Sequence, residues 1–265
     1  MQMLWLLTFG AFIGAIATSG GHGDDPKTTA TSSSPGSVSW GPRADSTFMS
    51  PKISYSTAGF GSRTASHGTG VAYQGNIGSP YCSNIIEVTV ANAKEYKYVA
   101  RFESSTMDEW SVAVWNKIGP DGKQGGWFSE PCKTFILKSG SIQYVAFDED
   151  SQGGWAAAPG PFIPTDKQSA FASTWGEFDF GSVINTKWSG FDVSAIVAQN
   201  AGLDVQGMRI CDELTQTCSS ITANAAAINN AYTQENFDQG GIGGNIAPGP
   251  VRLNVTLGYS HEPAR

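Results

Sequence analysis

The chain has 265 residues and a formal net charge of −7, from 16 Lys plus Arg against 23 Asp plus Glu. No basic stripe exists to neutralise a phosphate backbone, which argues against nucleic acids and anionic membrane surfaces as partners. Neutral polymers remain compatible with an acidic chain that carries 8 tryptophans.

Leu4 to Ile16 is almost wholly apolar, and Ala15 and Ala17 supply the small residues of a signal-peptidase site, so residues 1–17 read as a signal peptide cleaved after Ala17. The run is too short to cross a hydrocarbon core of about 30 Å as a helix, so no transmembrane segment is expected. Residues 18–50 are mostly Ser, Thr, Gly, Pro and charged residues and read as a flexible tether. Residues 51–265 hold most of the aromatic residues without a second low-complexity break, which predicts a single β-rich domain, monomeric and exported.

Within that domain the apolar residues recur at period two. Ile86, Val88 and Val90 share one side of a first strand, Tyr96, Tyr98, Ala100 and Phe102 one side of a second, and Trp110, Val112 and Val114 one side of a third. Phe135–Leu137 and Ile142–Phe147, joined by Lys138-Ser139-Gly140-Ser141, predict a hairpin. Trp175–Phe180 and Val251–Leu257 predict two further strands. The alanine-rich Ile221–Tyr232 run predicts one short helix in the C-terminal half. Short strands with one wet face and Gly/Pro turns predict a mainly β fold, an antiparallel β-sandwich.

The cysteines are Cys82, Cys132, Cys211 and Cys218; an even number in an exported chain favours disulfides over a metal site. Three connectivities are open, and the preferred one pairs Cys211 with Cys218 and Cys82 with Cys132. Asn254-Val255-Thr256 is an N-glycosylation sequon on the expected solvent face of its strand.

Chemistry is sought in three clusters. Asp148, Glu149 and Trp155 follow a strand end, where carboxylates accept sugar hydroxyl bonds and an indole face stacks on a pyranose. In Trp175-Gly176-Glu177-Phe178-Asp179-Phe180, an inward Phe178 and Phe180 would send Glu177 and Asp179 out together, about 6.6 Å apart along the strand. That spacing suits either a general acid and base on a glycoside or an ordinary wet strand. Trp188 and Asp192 complete a third cluster. His67 is the one histidine in the body of the domain, His22 lying in the tether and His261 in the tail; it has no nucleophile elbow beside it, and the glycine clusters lack a strand-to-helix context, so no cofactor or metal is expected.

The blocks Gly59–Thr64, Ser83–Val88, Trp115–Gly122, Tyr144–Glu149, Ser151–Trp155, Thr174–Phe180 and Trp188–Gly190 resemble, in order, a secreted fungal allergen family typified by the fourth-numbered major allergen of Aspergillus fumigatus. The resemblance implies a secreted, cell-wall-associated protein and carries over no catalytic residue. A fainter likeness to thaumatin-like proteins, at Glu177–Phe180 and Phe191–Ser194, implies a β-sandwich. Together these readings make a wall polysaccharide such as β-glucan the expected partner. Hydrolysis by Glu177 and Asp179, or a structural or host-protein role, stands as the alternative.

Overall fold

Period-two patterning does become strands. The computed structural model describes residues 54–260; the expected signal segment, its cleavage point and the tether lie outside them. In chain order the strands are β1 (Ile85–Val88), β2 (Tyr98–Ser104), β3 (Trp110–Asn116), β4 (Lys133–Leu137), β5 (Ile142–Phe147), β6 (Ser151–Pro159) and β7 (Trp175–Phe180). They continue with β8 (Ser189–Ser194), β9 (Met208–Asp212), β10 (Cys218–Ile221), β11 (Ile228–Asn229), β12 (Gly244–Ile246) and β13 (Val251–Leu257). Two short helices, α1 (Val90–Ala93) and α2 (Ile196–Ala201), interrupt them.

The strands form two sheets. The first runs β1-β5-β2-β13-β9-β10-β11 and the second β12-β8-β7-β6-β3-β4. Every pairing is antiparallel except β2 with β13, where the last strand enters the middle of the first sheet parallel to β2. The sheets pack face to face as a β-sandwich. Phe102 of the first meets Trp155 of the second at 5.3 Å between ring centroids, and Phe147 meets Phe178 at 4.6 Å. Tyr98, Val145, Ile210, Leu253 and Val255 join Val112, Val114, Phe180, Phe191 and Val193 in the same core.

Cross-strand fit explains part of the sequence of β6 and β7. Trp155 lies opposite Gly176, where an added Cβ would stand 2.3 Å from the indole Nε1. Glycine at that position makes room for the largest side chain of the core.

Three features depart from the sequence pattern. Lys138–Ser141 does turn, with the Ser141 N–H donating to the Lys138 carbonyl at 3.0 Å, but it makes no hairpin. β4 pairs with β3 in one sheet, while β5 pairs with β1 and β2 in the other, so the link is an arch between layers. The Ile221–Tyr232 run is not helical either. Ile221 ends β10, Ala223–Ala225 makes a single 3-10 turn with Asn224 left-handed at φ 56°, and Ile228–Asn229 is β11. The helix of the C-terminal half is α2, closed by Gly202 at φ 67°.

Finally, β3, β6, β7 and β8 have no wet face. At one end their outer side is covered by a second apolar cluster in which Trp115, Trp127, Phe171 and Trp175 pack together beside Val197 of α2. Both disulfides have the preferred pairing, Cys82–Cys132 and Cys211–Cys218.

Candidate functional site

The second sheet's outer face carries polar groups at one end and aromatic groups at the other. Phe178 and Phe180 enter the core, so alternation turns Trp175, Glu177 and Asp179 outward. Register then fixes their neighbours. Glu177 lies between Gly154 of β6 and Asp192 of β8, and Asp179 lies between Gln152 and Gly190. Beyond Gln152, Lys117 follows β3 and its N–H donates to the Gln152 carbonyl at 2.8 Å. Three acids, an amide and an ammonium therefore share one patch of sheet. The acids keep only 7–9% of their surface in contact with solvent.

Burial dominates their chemistry. It pushes the Glu177 carboxyl up to about 7, against the opposing effects of a hydrogen bond with Asp192 and of the Lys117 charge. Burial and the adjacent Glu177 hold Asp192 well above the ordinary aspartate value. Glu177 is therefore the first of the pair to ionise, and a still-protonated Asp192 then donates to its carboxylate. Asp179 is also pushed up to about 7 by burial, against the opposing influence of the nearby Gln152 and Ser182 side chains and of the Lys117 charge. Lys117 is drawn down by the same desolvation, and its Nζ donates to the Tyr73 carbonyl at 3.1 Å. Asp179 Oδ1, Asp192 Oδ1 and Gln152 Oε1 are buried acceptors that accept no hydrogen bond from any described residue. Buried polar atoms normally find partners, so three such atoms on adjoining strands stand out.

Two chain segments fix the rim. Asp150, next to the patch, accepts from the Ser66 hydroxyl, from the Tyr73 hydroxyl at 2.9 Å and from the Val183 N–H at 2.8 Å. That ties the segment around Ser66–Tyr73 and the one around Val183 to the start of β6. On the β8 side, Gly243 adopts φ 98°, and a Cβ there would stand 2.8 Å from Asp192 Cβ. The chain entering β12 therefore runs directly alongside Asp192.

The structure brings together Glu177, Asp179 and Asp192 but takes Trp155, Trp175, Asp148 and Glu149 away from them. Trp155 is fully buried between the sheets, so it offers no face to a pyranose. Trp175 is sealed in the outer aromatic cluster, its Nε1 donating to the Phe171 carbonyl at 2.6 Å and its ring 5.0 Å from Trp115. Asp148 is consumed by Arg63, which donates to both carboxylate oxygens at 2.7 and 2.5 Å, and by Asn76. Glu149 is held by Lys97 at 3.0 Å, with Arg63 and Lys187 at 3.4 and 3.7 Å. These two acids pin the β5–β6 turn and do not open onto the trio. Trp188 is half-buried in the turn before β8. Lys117 and Gln152 went unassigned in the sequence, yet the signal was present: Ala113 and Trp115 face outward on β3, and continuing that alternation by two residues reaches Lys117.

Sequence comparison decides the family. The profile of the Allergen Asp f 4-like domain matches residues 83–257. Allergen Asp f 4 of Aspergillus fumigatus is 50% identical over 219 residues, which cover 83% of this chain and 68% of that protein. The chain belongs to the Asp f 4-like allergen family. The family match takes in every strand from β1 to β13 and all three acids of the patch. Among solved structures, the protein elicitor MoHrip2 from Magnaporthe oryzae aligns at a TM-score of 0.38 with 12% identity, covering 61% of this chain and 99% of that one. The thaumatin-like xylanase inhibitor TLXI aligns at 0.34 with 9% identity, covering 60% and 97%. Likeness at that level carries no weight for the site of this Asp f 4-like chain. No helix among the described residues is long and apolar enough to cross a membrane.

Proposed function

We propose that this member of the Asp f 4-like family is a secreted, wall-associated fungal allergen that binds a hydroxyl-rich wall polysaccharide, β-glucan foremost, at the Glu177–Asp179–Asp192 patch. Export is supported by the apolar leader-like segment and by two disulfides, which persist in oxidising compartments. The observation that carries the binding reading is the set of buried, unpartnered acceptors Asp179 Oδ1, Asp192 Oδ1 and Gln152 Oε1 beside acids that stay protonated in mildly acidic surroundings. A neutral carboxyl both donates and accepts, which matches the dual character of a sugar hydroxyl. With Trp155 and Trp175 sealed, recognition rests chiefly on hydrogen bonds.

Hydrolysis is the second reading, favoured by the spacing of about 6.6 Å between Glu177 and Asp179 along β7. An inverting pair needs one carboxylate ionised as base while the other stays protonated. Glu177 and Asp179 both titrate near 7, so in mildly acidic surroundings both are neutral and the base is missing. Binding is therefore the better-supported activity.

Sedimentation with insoluble β-glucan, chitin and mannan at pH 5 tests it. The folded protein should co-sediment with one polymer above an albumin control, and Asp179→Ala should weaken retention by about 2- to 10-fold, the worth of one hydrogen bond. Failure to bind all three polymers would refute the proposal. Sugar release that disappears in Glu177→Gln would move the assignment to hydrolysis.

A further inference from the structure

Resting on the secretory route proposed above, we propose that Asn254 carries an N-linked glycan whose first N-acetylglucosamine is seated in a cavity on the outer face of the first sheet. A sequon usually falls in a surface loop, whereas this one lies in β13, in the middle of seven strands. Val251, Leu253, Val255 and Leu257 enter the core, so Arg252, Asn254 and Thr256 all face outward. The Asn and Thr of the sequon therefore share one face. Asn254 is flanked by Arg101 on β2 and by Cys211, half of a disulfide, on β9.

That face is the more open of the two. Asn254, Thr256, Arg101 and Cys211 are each half-buried. A cavity of about 470 Å³ borders Asn254, with Val90, Lys94, Arg101, Tyr144 and Glu213 among its walls. The Asn254 carboxamide makes no hydrogen bond to a described residue, so modification of Nδ2 breaks nothing in the fold.

The walls match the chemistry of an N-acetylhexosamine. Arg252 is committed to the protein, donating to the Tyr96, Lys97 and Val251 carbonyls at 2.7–2.8 Å, and so forms a fixed floor. Arg101 is ion-paired with Glu103 at 2.9 Å and also hydrogen-bonds to Tyr144, and the N–H groups that remain can meet an acetamido carbonyl. Lys94 adds further donors, Glu213 accepts from hydroxyls, and Val90 and the Tyr144 ring supply apolar surface for the methyl and ring C–H groups.

The modification consumes a lipid-diphosphate-linked oligosaccharide. Asn254 Nδ2 bonds to the anomeric carbon while the carbon–oxygen bond to the diphosphate breaks. The lipid diphosphate leaves with that electron pair, and Nδ2 gives up one proton. In the folded sheet the Asn254 backbone is paired on both sides, so transfer precedes the insertion of β13 between β2 and β9.

The test is to express the full chain in a eukaryotic secretory host and recover it from the medium. The tryptic peptide that begins at Leu253 should carry a hexosamine-based glycan, retained in Thr256→Ser and lost in both Thr256→Ala and Asn254→Gln. Release by a glycan amidase should be about tenfold slower from the native protein than from the unfolded one, because a seated sugar is reached only through local opening. Secreted protein with unmodified Asn254 would overturn the inference while leaving export intact. Equal release rates in the two states would overturn the seating. A chain retained inside the cell would refute the secretory route, and the modification with it.

Discussion

Glu177, Asp179 and Asp192 give the molecule a pH dependence opposite to that of an ion-paired carboxylate. Their folded-state values lie above the unfolded range of about 4, so between about pH 4 and pH 7 the folded chain holds more protons than the unfolded one. Stability from these groups falls as pH rises through that window and levels off above it, by on the order of 4 kcal/mol for Asp179 alone. Glu149 works the other way: burial raises it, but Lys97, Lys187 and Arg63 outweigh that and hold it low, so its contribution is lost on acidification. Thermal melts should therefore give a maximum near pH 5 and a decline towards pH 8. Asp192→Asn keeps a donor for Glu177 without an ionisation to suppress, so it should raise Tm, and by clearly more at pH 8 than at pH 5. An Asp192→Asn profile parallel to that of the parent would refute the burial of a protonated Asp192. The trio was half legible in the sequence. Alternation about Phe178 and Phe180 gives the direction of Glu177 and Asp179, but the adjacency of Asp192 depends on the β7–β8 register, which local pattern does not encode.

At the scale of elements, the Trp155–Gly176 pair locks β6 to β7. Gly176→Ala would place a methyl 2.3 Å from the Trp155 Nε1, and overpacking of this kind costs about 1–3 kcal/mol. Chemical denaturation should show that loss with the denaturant slope unchanged, and a variant as stable as the parent would show that the indole has room to move. The same pair shows why a reading by residue type misplaced the tryptophans. Trp155 and Trp175 stand beside acids in the sequence, but alternation sends Trp155 into the core, and segments from outside the strands cover Trp175. β7 and β13 were read to their end residues because an apolar period of two survives at each position. The expected hairpin failed for another reason. A four-residue glycine turn joins two strands of one sheet as readily as it arches between two layers, and only the partners β3 and β2 distinguish these. The alanine run failed as a helix because propensity is a weak preference. Strand pairing at Ile221 and Ile228 and the left-handed Asn224 and Asn230 outweigh it.

For the whole molecule, the two outer faces have different fates, and the disulfides follow that division. Cys211–Cys218 joins neighbouring strands of the first sheet and closes a short loop, with a sequence separation of 7. Cys82–Cys132 joins the segment leading into β1 to the segment leading into β4, and so ties one sheet to the other across a separation of 50. Loop-closure entropy assigns about 2 kcal/mol to the first bond and about 4 kcal/mol to the second. Removing the second also frees the chain around Tyr81 and Asn84, whose side chains reach the second sheet's end at the Ile118 carbonyl and Asn116 Oδ1. The double variant Cys82→Ser/Cys132→Ser should therefore lose about twice the stability of Cys211→Ser/Cys218→Ser. It should also loosen the rim, since Asn84 donates to the Asn76 carbonyl at 2.9 Å and Asn76 binds Asp148. Hydrogen exchange should report faster opening near Asn76 and Asp150 in the first variant, with β9 and β10 unchanged. Equal losses in the two variants, or opening confined to β9 and β10, would show that the sheets are held together by their shared core alone, without help from the long-range bond.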